Sequence, residues 1–241
     1  MTRPEELLRR WVLDQAGPEA GWAAQSLDTL AKSGQARDLY IFMGLAPRRL
    51  GKADLRLGPD DLAAAETARP GWSPAGWSID GAARVLALLI FPTQRPFAEL
   101  FKDLRRTADV AELIALYRGL PLYPEPESLD FEVGEGLRSN IRAVFEAIAH
   151  DTPYPRDHFD DHRWNHMVLK ALFVDTRLTP ILGLRERANP ELARILVDYA
   201  EERLAAGRPV PEDLWIPLSP FREDPKVASL LRRAGQEEAL S

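Results

Sequence analysis

The spacing of the apolar residues restricts the fold of this chain more than any other feature, because this spacing has the period of an α-helix almost throughout. Leu7, Leu8 and Trp11 fall on one face of a first predicted helix, and the apolar run at residues 85–90 fills another. Proline or glycine separates most of these segments, as is typical of helix starts and ends. No segment alternates apolar and polar residues with β-branched enrichment, so no sheet is expected. The sequence therefore predicts an all-α fold.

Helix bounds follow from the same pattern. Acidic first turns after Pro4 and Pro59, and a capping serine at Ser78, mark three of the starts. The Gly-, Pro- and Trp-rich stretch at residues 69–78 is predicted to be a long packed connection. Residues 236–241 are expected to fray. Helices are predicted over residues 4–16, 19–32, 36–45, 59–68, 79–90, 97–106, 110–117, 126–149, 157–174, 190–206 and 225–234.

Three predicted helices end in a similar way. Residues 115–121, 146–153 and 170–177 each combine an apolar helix end with a short polar turn, and a proline follows within or shortly after each. The spacing of about 25–31 residues is that of stacked helical repeats, which predicts a helical-repeat (HEAT/TPR-like α-α superhelix) bundle. The alternative is an irregular helical domain. We expect a single all-helical domain over residues 1–241, with a weak division near residues 69–78.

Charge and the lack of cysteine exclude several classes of function. The chain has 31 Lys and Arg residues against 37 Asp and Glu, a formal net charge of −6. Nucleic-acid binders need clustered basic residues, so no nucleic-acid partner is expected. With no cysteine, disulfides, thiolate metal sites and cysteine nucleophiles are excluded. The apolar runs are too short to span a bilayer and no secretory signal is evident, so a cytoplasmic location is expected.

The histidines are concentrated in one part of the sequence. All four lie between residues 150 and 166, and His158, His162 and His166 follow at steps of four along the predicted helix 157–174. Each step of four drifts by about 40° around a helix, so the three rings share one stripe. We expect this stripe, with Asp161 beside it, to line a ligand groove.

Two other interpretations of the histidine stripe stay open. A pair of histidines at i, i+4 can chelate a transition metal, which makes His162 and His166 the candidate ligands of a metal-dependent or histidine-based enzyme. The zincin signature is absent, because Phe159 stands where its general-base glutamate belongs. In the structural alternative, the His and Asp side chains cap and cross-link neighbouring helices.

Further candidate groove residues lie on the same helix or in the long connection. Asn165 and Lys170 fall near His166, although Asn165 and His166 would equally serve an interhelical hydrogen-bond network. Trp72 and Trp77 are candidates for aromatic walls of the groove. No cofactor is expected for such a binding site.

Several blocks of the sequence resemble one known family. They are residues 45–55, which read Leu-Ala-Pro-Arg-Arg-Leu-Gly-Lys-Ala-Asp-Leu, the Gly-Trp pairs at 71–72 and 76–77, the block at 135–140, the histidine block at 158–173 and residues 187–193. Together they resemble the EboA family over most of the chain, from about residue 36 to residue 217. The family brings no catalytic residues that can be placed on this sequence.

The resemblance implies the product of a bacterial secondary-metabolite gene cluster. Such ebo-type clusters also encode enzymes that resemble a sugar-phosphate cyclase, a TatD-type hydrolase, a sugar isomerase and a UbiA-type prenyltransferase, and they are linked to moving a precursor towards the periplasm. The implied role is a soluble accessory or scaffold protein that binds a metabolite or a partner from the same cluster. A binding protein is therefore expected rather than an enzyme, with the histidine-based enzyme and a purely structural adaptor as alternatives.

Overall fold

Proline begins four of the helices, at Pro4, Pro59, Pro190 and Pro225, where its missing N–H is not needed. The computed structural model describes residues 2–235, and within them it contains 14 α-helices and short 3₁₀ turns. Over this described range there is no strand, only an isolated bridge between residues 54 and 78. The predicted all-α fold is confirmed, the repeat architecture stays a prediction, and the fraying expected at 236–241 falls outside the described residues.

Contacts divide the chain into two compact units, Met1–Tyr154 and Pro155–Ser241. Residues 69–78, the predicted weak division, lie inside the first unit. The first unit contains α1 (Pro4–Gln15), α2 (Ala20–Ser33), α3 (Ala36–Leu50), α4 (Pro59–Ala68), α5 (Ile79–Ile90), α6 (Phe97–Thr107), α7 (Val110–Arg118), α8 (Asp130–Leu137) and α9 (Arg142–Ala149). After α10 (Tyr154–His158), which begins at the boundary, the second unit contains α11 (Asp161–Phe173), α12 (Pro190–Ala205), α13 (Trp215–Leu218) and α14 (Pro225–Ala234).

Helix α5 is the centre of the first unit, and it packs against α1, α2, α3 and α7. Most of its residues are buried, and apart from Asp80 and Arg84 the buried side chains are apolar, as expected of a helix surrounded by others. The predicted cap is present, since the Ser78 hydroxyl accepts a hydrogen bond from the Gly81 N–H at 3.2 Å. The contacts of this one helix therefore fix the positions of α1, α2, α3 and α7 around it.

Helix α3 continues through Pro47 to Leu50, so the predicted end before Pro47 is wrong. A proline inside a helix leaves the carbonyl four residues earlier without its donor. Here that carbonyl is Met43, and the buried Arg84 of α5 donates its Nε–H to it at 3.1 Å. Arg84 also pairs with Asp80 at 2.9 Å, so its charge is balanced in the core. A long-range contact thus replaces the missing local hydrogen bond.

The single helix predicted over residues 126–149 is also wrong, because the chain forms a 3₁₀ turn, α8 and α9 instead. The break lies between Leu137 and Arg142. A side chain at Gly136 would collide with the Tyr117 ring and with Ile148, so glycine allows α8 to lie close to its neighbours. The break folds the segment into two short helices that pack on each other.

In the second unit, α11 packs against α12, and α12 packs against α13 and α14. Trp164, Val168 and Leu172 lie on the buried face of α11, at the four-residue spacing of an ordinary core stripe. Among residues 2–235, no helix combines the length and apolar character needed to cross a membrane.

Candidate functional site

The predicted helix 157–174 is two helices in the structure, so the prediction of one continuous helix is wrong. α10 ends at His158 and α11 begins at Asp161, with Asp160 as its N-cap. The Asp160 carboxylate accepts a hydrogen bond from the Arg163 N–H at 2.7 Å. His158 therefore lies on a different helix from the next two histidines, and the predicted stripe of three rings is reduced to a pair.

Arg187 explains why the chain breaks at this point. Its Nη1 donates to the carbonyl oxygens of Pro155, Arg156 and Phe159 at 3.1, 3.2 and 2.7 Å. These carbonyls belong to α10 or follow it directly, and the last carbonyls of a helix lack intrahelical partners. That of Pro155 also accepts from the Phe159 N–H at 3.2 Å. The same guanidinium pairs with Asp161 at 2.9 Å, the residue that begins α11. Arg187 therefore fixes both sides of the break from a distant position in the sequence.

His162 and His166 form an exposed pair on α11. Their ring centroids are 4.4 Å apart and the rings are tilted by 58°. Two imidazoles at this spacing can serve as two ligands of a transition metal. Across the described part of the chain, no group of three or more His, Asp or Glu side chains is placed to hold a metal ion. The role of this pair in binding stays a prediction.

Asn165 and Asp161 take part in the internal contacts of the second unit. Asn165 is 4% exposed and forms two reciprocal amide hydrogen bonds with Asn189, at 2.9 and 3.1 Å. Asn189 is in turn the N-cap of α12, where it accepts from the Leu192 N–H. This is the interhelical network that the sequence allowed as an alternative for Asn165. Lys170, the last predicted groove residue of α11, is half-buried, and desolvation lowers its pKa.

The two predicted aromatic walls belong to the first unit, where both indoles are packed. Trp72 is 2% exposed, lies between Trp11 and Trp77 with ring centroids 5.9 and 6.0 Å away, and serves the core. Trp77 is 4% exposed, and it reaches a cavity of its own unit.

That cavity is a polar cleft of about 230 Å³, which we call the interhelical cleft. It lies between the connection at residues 69–78 and the C-terminal ends of α7 and α9, two helices that pack side by side. Its lining combines an aromatic ring, a cation, two carboxylates, an imidazole and hydroxyls. The side chains that supply them are Ser73, Trp77, Arg118, Glu146, His150, Asp151 and Thr152.

Local structure places these groups at the rim of the cleft. Arg118 is the last residue of α7, and its Nη1 donates to the Gly76 carbonyl at 2.8 Å, which fixes the long connection against the helix end. α9 ends before His150, and Asp151 follows with a φ of 53°. A non-glycine residue in this left-handed region is uncommon, and such residues collect at ligand sites. The turn at 151 redirects the chain and leaves the Asp151 side chain exposed at the cleft.

The cleft contains both signs of charge, with carboxylates in excess. Burial lowers the pKa of Arg118, whereas Asp54, Asp151 and Glu146 act in the opposite direction. Arginine still stays protonated, so it remains a fixed cation among three carboxylates. Glu146 is also paired with Arg142 at 2.7 Å. The arrangement offers hydrogen-bond donors and acceptors within reach of one small ligand.

Sequence reasoning missed this cleft, although it singled out two of its edges. The similar helix ends at residues 115–121 and 146–153, whose spacing predicts stacked repeats, both border the same cavity in the structure. The signal was the combination of an apolar helix end with a polar turn. It could not show that the two ends meet, because that depends on how α7 and α9 pack.

The fold and the cleft define a class of protein: an all-helical protein with a small polar cavity between helix ends. Residues 4–219 match the family model described as metabolite traffic protein EboA, and the chain belongs to the EboA family. The resemblance read from the sequence is thereby confirmed. Neither the curated proteins nor the solved structures that were compared with this chain include a match.

Proposed function

We propose that this protein binds a small polar metabolite in the interhelical cleft and holds it during metabolite traffic. The observation that carries the proposal is the convergence of Trp77, Arg118, Glu146 and Asp151 on one concave space. A cavity with aromatic surface and a few polar groups of defined position is the usual form of a small-molecule site. The family description, which refers to metabolite traffic, supports the same role.

The proposal places the protein in the cytoplasm, as an accessory of an ebo-type secondary-metabolite cluster. There it would hand a precursor to other proteins of the cluster, on the route of that precursor towards the periplasm. The exposed pair His162 and His166 is proposed as a contact surface of the second unit for a partner. The ligand role predicted for the pair from the sequence is the alternative to binding in the cleft. Asp161, Asn165 and Lys170 flank this surface and support its shape.

The test is to fill the cleft without disturbing the core. Ala143 lies in the first turn of α9, is exposed, and lines the cleft. Ala143→Trp is therefore expected to occupy the cavity while leaving the helix packing intact. Ala63→Trp is the matched control, because Ala63 is an exposed alanine of α4 that is not part of the cleft.

The two variants and the wild type are purified from a host that expresses the whole gene cluster, and small molecules released by denaturation are identified by mass spectrometry. The expected result is a metabolite retained by the wild type and by Ala63→Trp, and lost from Ala143→Trp. Equal retention by all three proteins would contradict binding in the cleft. In the same extracts, co-purification of cluster enzymes or of the prenyltransferase-like membrane protein tests the proposed partners.

A further inference from the structure

The chemistry of the interhelical cleft restricts the charge of the molecule that it can hold. Besides Arg118, the charged side chains that line it are Glu146 and Asp151. Asp54 lies near enough to influence the Arg118 guanidinium as well. Two lining carboxylates face one lining cation, and with the neighbours Asp54 and Arg142, which pairs with Glu146, there are three carboxylates to two guanidiniums. The balance is therefore negative, as is the formal net charge of −6 of the whole chain. An anionic ligand would be repelled both by the charges at the cleft and by the net charge of the whole chain.

The guanidinium of Arg118 is already engaged by the protein. One of its amino groups donates to the Gly76 carbonyl at 2.8 Å, and Asp54, Asp151 and Glu146 balance its charge. A site built for phosphate or carboxylate presents arginines or backbone N–H groups in excess of acids. This cleft has the opposite balance, so Arg118 serves as a hydrogen-bond donor rather than as an anion receptor.

The remaining groups match a hydroxylated ligand. Carboxylate oxygens of Glu146 and Asp151 accept hydrogen bonds, whereas the hydroxyls of Ser73 and Thr152 both donate and accept. Ligand hydroxyls can pair with either kind of group. Trp77 adds a patch of aromatic surface against which an apolar ring face can pack.

The size of the cleft sets a limit on the ligand. A volume of about 230 Å³ lies just below the ~300–1,000 Å³ of pockets that enclose drug-sized ligands, so the cleft suits a smaller molecule. A single sugar-sized ring is of that smaller size, and a long chain or a polycyclic molecule would not be enclosed.

We propose that the interhelical cleft binds a monosaccharide-sized polyhydroxylated molecule that is neutral or cationic, and that it discriminates against the phosphorylated form of the same molecule. This inference rests on the proposed function, since it names the ligand class of the same site. Carboxylates select for hydroxyl and ammonium groups, and they repel a phosphate.

The experiment compares three probes that share one ring: D-glucose, D-glucosamine and D-glucose 6-phosphate. Each is titrated to millimolar concentration into the full-length protein while the indole N–H signals are followed by NMR. The Trp77 signal is assigned by its loss in Trp77→Phe. Trp22 is the internal control, because it stacks on Phe42 in a separate groove between α2 and α3.

The expected result is a saturable shift of the Trp77 signal with glucose and glucosamine, and no shift of Trp22. Glucose 6-phosphate should bind about tenfold more weakly, because the excess negative charge of the cleft repels its phosphate group at close range. In the double variant Glu146→Gln and Asp151→Asn, which leaves Arg118 as the charged lining side chain, this difference should disappear or reverse. Asparagine tolerates the left-handed backbone at position 151, so the turn is preserved.

Tighter or equal binding of glucose 6-phosphate would overturn the inference and leave the proposed function in place. No shift with any probe, together with a retained metabolite that Ala143→Trp still displaces, would also overturn the ligand class alone. No shift with any probe and no effect of Ala143→Trp on retention would overturn both. An unchanged preference in the double variant would show that the carboxylates do not set the selectivity.

Discussion

In the first unit, polar side chains from three separate segments converge on a concave space, whereas in the second unit the polar side chains of α11 are divided between solvent and the core. Arg118, Glu146 and Asp151 face one cavity. On α11, His162 and His166 are exposed, and Asn165 is buried in a hydrogen-bonded pair with Asn189. A segment of the sequence that is rich in polar residues therefore need not bring its polar groups together in space.

The comparison teaches that helix ends, more than helix faces, create the candidate site of this protein. A helix distributes neighbouring residues around its axis, so only positions three or four apart share a face. The C-terminal ends of α7 and α9 lie against one cavity because the helices pack side by side. The expectation is that second-unit polar residues contribute mainly to stability and cleft residues mainly to binding.

The largest effect is expected at Arg187. Arg187→Ala removes three hydrogen bonds to carbonyls, the pair with Asp161, and the contact with the Trp164 ring at 4.9 Å. It should destabilise the second unit by about 3 kcal/mol, because three hydrogen bonds from a charged donor and an ion pair are lost together. Urea unfolding, with hydrogen exchange of the α11 amides, measures it.

The matched control for this change is Arg185→Ala, since Arg185 is an exposed arginine two positions away. Its effect should be within about 0.5 kcal/mol. If the two variants were equally stable, Arg187 would not be what fixes the break between α10 and α11.

A smaller effect is expected in the amide pair. Asn165→Ala and Asn189→Ala should each destabilise, and Asn189→Ala more so because Asn189 also caps α12. The double-mutant cycle should give a coupling free energy of about 1 kcal/mol, typical of side chains in direct contact. Chemical denaturation of the four proteins measures it. Additive effects, combined with a loss of retained metabolite in Asn165→Ala, would instead support the ligand role predicted for Asn165.

The next prediction concerns the pH dependence of stability at Asp61 in the first unit, which accepts a hydrogen bond from the Trp11 ring that packs against Trp72. The Trp11 indole N–H, followed by the Gly58 N–H and by Arg10, holds the pKa of Asp61 below its ordinary value of 3.8. Because the folded state binds this proton less readily, the carboxylate stabilises the fold above pH 3.8, and the contribution disappears as pH falls through the lowered pKa. Wild type should therefore exceed Asp61→Asn by about 1 kcal/mol at neutral pH.

Urea unfolding of both proteins between neutral pH and pH 3 checks this, and the difference should shrink only at the acid end. Asp60→Asn is the control, since Asp60 is the exposed neighbouring acid of the same helix turn. A difference that stays constant over the whole range would contradict the assigned cause, because the carboxylate charge would then be irrelevant.

The smallest effect is expected at the histidine pair. His162→Ala and His166→Ala should each change stability by less than about 0.5 kcal/mol, because both side chains are exposed. Elemental analysis of untagged protein tests the metal alternative directly. Stoichiometric metal that disappears in the double variant would make this pair, and not the cleft, the chemically active part of the molecule.

Particular residues show how far the sequence could predict this structure. Local signals placed most helices correctly, since Ser78, Pro59 and Pro190 act within one turn of the helix that they begin. The errors arose where a distant residue decides. Helix α3 passes Pro47 because Arg84 supplies the missing donor, and α10 ends where Arg187 binds its carbonyls. Neither contact can be predicted from the spacing of apolar and polar residues in the sequence.

The residues of the candidate site also differ in whether the sequence could predict them. Trp77 could be picked out because tryptophans in a Gly- and Pro-rich connection are conspicuous, and it does line the cleft. Arg118, Glu146 and Asp151 are ordinary charged residues near helix ends, a position where charged residues are common for solvation alone. Only the packing of α7 against α9 brings these three to one cavity.

The central claim is that the metabolite is held by the cleft and not by the histidine pair. Its most direct test is the retention of metabolite by three proteins measured side by side: wild type, Ala143→Trp, and the double variant His162→Ala with His166→Ala. The account predicts loss only in Ala143→Trp. Loss in the histidine variant, with full retention in Ala143→Trp, would contradict it.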